Sequence, residues 1–143
     1  MLNQKNMKLI KFSALFLIII SCKKENNNVN ILQKAKDIHK RVMTLDTHVD
    51  INVANFTDSI NYSQKLKNQV NLPNMEEGGL DVAFFIVYTG QGDLNEEGYT
   101  KAYKNAMSKF NAIHKLTKEI APNRIALATN SNEARKIYAS GKK

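Results

Sequence analysis

His48 and Asp50 are the residues whose types and spacing could do chemistry. They close the stretch Val42-Met-Thr-Leu-Asp-Thr-His-Val-Asp50, and in a β-strand positions two apart project to the same face. A neutral imidazole nitrogen and a carboxylate oxygen would then converge at the end of a strand, which is the beginning of a site for zinc or a similar divalent ion. Two protein donors rarely hold a catalytic zinc, so such a site needs more ligands than this pair. Asp46 shares their parity and reads equally as an acceptor for a ligand histidine or as the start of a loop.

The elements that must position the pair follow from periodicity. Ile31, Leu32, Ala35, Ile38 and Val42 recur at helical spacing and predict an amphipathic helix over 31–41, with His39 on its polar flank as a surface histidine. Val42 to Leu45 reads as a strand carrying the pair at its carboxyl end. Ile51 to Gln69 is polar and aperiodic, a long strand-to-helix excursion of the kind that lines binding sites. Leu72-Pro73 opens a short helix that Gly78-Gly79 stops. Val82-Ala-Phe-Phe-Ile-Val-Tyr88 has the near-continuous apolar character of a strand buried on both faces, as in a parallel sheet.

Gly90-Gln-Gly92 lacks the further glycines or the lysine of a phosphate loop and reads as a turn. Tyr99, Ala102, Tyr103, Ala106, Phe110, Ile113 and Ile120 form a helical stripe that should pack on a sheet, with His114 at its edge as a structural residue. Pro122-Asn123 breaks this helix. Ile125 to Ala128 is strand-like, and Ser131 can cap a last helix through Ala139.

The chain has 143 residues, enough for one modest domain, and a formal charge of +8. Lys5, Lys8 and Lys11 lie in the amino-terminal segment, which leaves 18 basic against 13 acidic residues, interspersed without aromatic interleaving. That pattern is a solvated surface and points away from a nucleic-acid partner. Residues 1–21 read as an export signal: the basic stretch precedes the apolar run Phe12 to Ile20, too short for a comfortable membrane span. Ile19-Ile-Ser-Cys22 resembles a bacterial lipobox, and Cys22 is the chain's single cysteine. The expectation is a protein exported and lipid-anchored to the bacterial cell envelope through Cys22, with 22–29 a polar tether and 30–143 the folded part.

Alternation of helices and strands predicts an α/β fold with parallel strands, shared by open doubly wound sheets and (β/α)8 barrels. Metal-type donors at the carboxyl end of the first strand favour the barrel, yet a complete barrel takes roughly 250 residues. The expectation is the amino-terminal portion of a (β/α)8 metallohydrolase barrel, incomplete.

Leu45-Asp-Thr-His48-Val-Asp50, with Gln69-Val-Asn-Leu-Pro73-Asn-Met-Glu-Glu-Gly78-Gly-Leu-Asp-Val-Ala-Phe-Phe-Ile-Val-Tyr88, is similar to the amino-terminal part of the membrane dipeptidase (renal dipeptidase) family. Phe110-Asn-Ala-Ile-His-Lys-Leu fits its bacterial members. The resemblance spans Ile31 to Lys143. It implies a barrel with two zinc ions that hydrolyses dipeptides, with His48 and Asp50 as ligands of the first zinc. By the same resemblance the bridging glutamate and the two histidines of the second zinc belong to later strands, and Glu76, Glu77, His39 and His114 do not fall at their positions. Three readings follow: a piece of a lipid-anchored zinc dipeptidase, inactive by itself; another amidohydrolase-like metalloenzyme; or a non-catalytic surface lipoprotein that binds a partner. Each leaves oligomerisation open.

Overall fold

A computed structural model of the chain describes residues 26–143. The chain divides into two compact units, Met1–Ile38 and His39–Lys143. Within the first, helix α1 spans Asn26–His39, reaching into His39 at the boundary. The export segment and Cys22 lie outside the described residues. No helix among the described residues is long and apolar enough to cross a membrane.

The second unit is a mixed α/β layer. Strand β1 (Leu45–Asp50) is followed by a 3-10 turn (Val53–Asn55), helix α2 (Leu72–Gly78) and strand β2 (Val82–Ile86). Helix α3 (Glu96–Lys115) then widens into a π-helical turn (Leu116–Ile120) and is followed by helix α4 (Ser131–Ala139). β1 and β2 pair in parallel, as the predicted alternation requires. β1 starts three residues later than expected and contains the His48/Asp50 pair rather than merely ending before it. Thr44 sets that start. Its N–H donates to Asp81 Oδ2 at 3.0 Å, its hydroxyl donates to the Gly79 carbonyl at 2.6 Å, and it accepts the Asp81 N–H at 3.0 Å. Lys143 Nζ binds the other Asp81 oxygen at 3.0 Å. Burial pushes the Asp81 carboxyl up, but the Thr44 N–H and the Lys143 ammonium more than offset it and hold the group below the usual carboxylate range.

The polar excursion after β1 is ordered by its own amides. Asn61 donates to the Thr57 carbonyl and accepts from the Ser63 N–H and hydroxyl, closing a local turn. Fully buried Asn71 caps α2 by accepting the Asn74 N–H at 3.0 Å, and Pro73 sits in the first turn. Gly79 ends α2 at φ 71°, left-handed backbone that glycine adopts without a Cβ penalty. A Cβ there would also lie 3.1 Å from the His39 ring. Phe56 and Tyr62, hidden in the polar run, pack at a tilt with ring centroids 4.5 Å apart and meet Phe85 of β2 edge-on at 6.4 and 5.9 Å. With Ile51, Leu72, Met75, Ala112, Ile113, Leu116, Ala121 and Ile125 they make the core. Burial pushes the Tyr62 phenol up, with hydrogen bonding to Asn68 and around Asn52 acting against it.

Several expectations are corrected. β2 is not buried on both faces: Phe84 is 55% exposed, because no described element covers its side, and Tyr88, past the end of the strand, is 62% exposed. The α3 stripe splits. Ala102 and Ala106 are half-buried and Ile113 buried, but Tyr99, Tyr103 and Phe110 face solvent, since of this helix only Ala112 and Ile113, near its end, join the core. Asn130, not Ser131, caps α4, because it has the extended backbone of a cap and its side chain accepts the Glu133 N–H at 3.0 Å. Ile125 to Ala128 forms no strand. Instead Lys143 N–H donates to the Arg124 carbonyl and Lys143 O accepts the Ala126 N–H, both at 2.9 Å, the bond pair a parallel strand makes around a single residue.

Candidate metal centre

β1 pairs with β2 in the register Leu45 with Val82 and Asp46 with Ala83, then slips so that Val49 faces Phe85 and Asp50 faces Ile86. Thr47 and His48 therefore stand opposite Phe84 alone, which is a bulge in β1. Beyond the bulge the strand alternates: Val49 is 4% exposed and anchors the strand, while His48 and Asp50 turn outward. Their side chains converge as the spacing predicts, with His48 Nε2 3.6 Å from Asp50 Oδ1 and both largely open to solvent.

Two donors about 2.0–2.1 Å from a tetrahedral zinc lie roughly 3.3–3.5 Å apart, so the observed separation fits one edge of such a site. An imidazole nitrogen with a carboxylate oxygen is also a donor set that suits zinc. Asp46 meets His48 through the backbone: its Oδ1 accepts the His48 N–H at 2.9 Å.

Glu76, Glu77, His39 and His114 lie away from the pair. Glu76 takes both Arg124 Nε and Nη2, at 3.0 and 2.9 Å, while Arg124 Nη1 donates to the Ser63 carbonyl and ties the excursion to the turn that follows the π-helical segment. Glu77 pairs with Lys65. His39 lies against Gly79, and His114, half-buried on α3, has an Nδ1 with no hydrogen-bond partner. Among the described residues no group of three histidines, cysteines or carboxylates could hold a metal. The bulge and the Asp46 contact carried no periodic signal. A carboxylate two residues before the histidine was their one visible trace.

Two parallel strands with helices between and after them define a mixed α/β protein. Residues 32–143 match the model of the membrane dipeptidases (peptidase family M19), and the chain belongs to that family of peptidases. In structure it is similar to the probable dipeptidase PvdM from Pseudomonas aeruginosa, with a TM-score of 0.70 at 16% identity over 79% of this chain. That likeness is one of fold, and the chain spans 29% of the PvdM chain. Among curated proteins, none matches.

Proposed function

We propose that this chain supplies one side of the zinc centre of a dipeptide hydrolase built on a (β/α)8 barrel. The observation that carries this reading is the 3.6 Å approach of His48 Nε2 to Asp50 Oδ1, solvent-open at the carboxyl end of β1, where barrel enzymes keep their sites. Family membership and the fold of the dipeptidase neighbour support it.

Zinc would supply Lewis acidity toward a peptide carbonyl and an acidified water. The chain's own residues do the holding: His48 offers an uncharged nitrogen, Asp50 a negative oxygen, and buried Val49 keeps both turned outward. Further donors and a proton source for the leaving amine must come from outside this pair. On this reading the chain alone hydrolyses no dipeptide. The resemblance of Ile19-Ile-Ser-Cys22 to a lipobox supports export and anchoring of the parent enzyme to the cell envelope through lipid on Cys22.

Equilibrium dialysis against zinc tests the centre. Wild-type chain should retain more zinc than His48→Ala or Asp50→Ala and release no amino acid from dipeptides, including those ending in a D-residue. Equal zinc retention by all three proteins, or hydrolysis by the chain alone, contradicts the reading. For the anchor, Cys22→Ala should move the chain from the membrane fraction to the soluble one; an unchanged distribution refutes it.

A further inference from the structure

We propose that Asp46 is the positioning residue of the metal pair, acting through the backbone of β1 rather than through the His48 imidazole. The proposal rests on the zinc reading above and adds to it the device that aims the ligands.

The bulge creates the need. His48 falls in the slipped part of the register, between Asp46 paired with Ala83 and Val49 paired with Phe85. A bulged residue loses its place in the ladder, so its N–H, exposed here, is left for water or a nearby side chain to accept. Asp46 Oδ1 does so at 2.9 Å, two residues back along the chain, closing the side-chain-to-backbone loop that Asp forms readily.

The alternative conformation explains why this contact matters. Without the bulge the second half of β1 would continue the register of the first half, one residue out of step with what is observed. A one-residue slip exchanges the faces of a strand. Val49, now 4% exposed, would turn out to solvent, and His48 and Asp50 would turn toward the core. Burial of Val49 and the Asp46 clasp therefore select the same register, and the clasp lies next to the ligand it orients. The chemistry required of residue 46 is a hydrogen-bond acceptor, not a charge. A role through charge on the imidazole or the ion would need the carboxylate itself.

Asp46→Asn keeps an acceptor oxygen and removes the charge, whereas Asp46→Ala removes both. The intact chain, isotope-labelled, is followed by NMR for two readouts: exchange of the His48 amide without metal, and the zinc concentration at which His48 side-chain signals shift. In Asp46→Ala the His48 amide should exchange at least tenfold faster, with buried Leu116 unchanged. The zinc requirement should rise roughly tenfold or more, the scale of lost contacts behind metal ligands. Asp46→Asn should stay within about threefold of wild type on both. The proposal is overturned if Asp46→Ala matches wild type, or if Asp46→Asn is as impaired as Asp46→Ala. Should the alanine variant not fold, the asparagine variant decides alone: retained zinc response supports the clasp, and loss overturns it. A wild-type chain without any zinc response at His48 overturns the zinc reading and this proposal together, an outcome distinct from failure of the clasp alone.

Discussion

Replacing Asp81 by alanine should cost the His39–Lys143 unit about 3 kcal/mol, more than the loss of one hydrogen bond explains. The Asp81 carboxylate accepts the Thr44 N–H at 3.0 Å and the Lys143 ammonium at 3.0 Å, and the Asp81 and Lys143 side chains are only 14% and 15% exposed. A hydrogen bond to a charged group contributes about 1.5–3 kcal/mol, and breaking a fully buried ion pair from one side costs about 3–5 kcal/mol. The residual exposure places this pair at the lower end of that range. Asp81→Asn retains an acceptor for Thr44 and loses only the charge, so about 1.5 kcal/mol is expected. Lys143→Met leaves the carboxylate on its Thr44 contacts and should cost about 1–2 kcal/mol. Urea unfolding followed by far-ultraviolet circular dichroism gives all three as midpoint shifts at constant slope. If the alanine and asparagine variants were equal, or if both cost under about 1 kcal/mol, the Thr44–Asp81 clasp would not be what fixes the start of β1.

The same carboxylate predicts the acid response. Its folded pKa is depressed, so its contribution is complete above the unfolded value of about 4 and is lost as pH falls through the lower folded value. Acid unfolding of Asp81→Asn should accordingly be flatter below pH about 4 than that of wild type. Leu116→Ala removes a side chain with no solvent exposure and should cost roughly 3 kcal/mol in the same urea assay, against under 0.5 for Lys118→Ala on the exposed side of the same turn. Gly79→Ala places a Cβ 3.1 Å from the His39 ring at φ 71° and should destabilise by about 1–2 kcal/mol, with Gly78→Ala, which meets nothing within 4 Å, close to neutral. Tyr99, Tyr103 and Phe110 expose a large apolar surface along α3, so Tyr103→Ser should reduce self-association in sedimentation without lowering the unfolding midpoint.

Much of the layer was legible because local chemistry and tertiary packing agree there. Asn71, Pro73 and Gly79 each do in the structure what their types do in isolation, so α2 was readable to within a residue. The parallel pairing of β1 and β2 followed from the apolar run at Val82 and the helix between the strands. Where expectations missed, the deciding contact was distant in sequence. The start of β1 depends on Asp81, 37 residues from Thr44, and no periodicity around Val42 reveals it. Phe56 and Tyr62 sit among asparagines and serines, so the excursion read as a polar loop of the kind that lines binding sites, although its aromatics meet Phe85. For α3 the stripe was real, but amphipathicity does not say how much of a helix has something to pack against. At the site, period-two spacing brought His48 and Asp50 together correctly. The bulge that precedes them is a register event between two strands, which a single strand's pattern does not encode.

The central claim, that His48 and Asp50 form one side of a zinc centre, is tested most directly by titrating zinc into the intact labelled chain while observing all three histidines. The account predicts that zinc shifts the His48 ring signals and the Asp50 carboxyl signal together, ahead of His39 and His114, and that Asp50→Ala weakens the response at His48. A response confined to His39 or His114, or one at His48 that Asp50→Ala leaves unchanged, would contradict it.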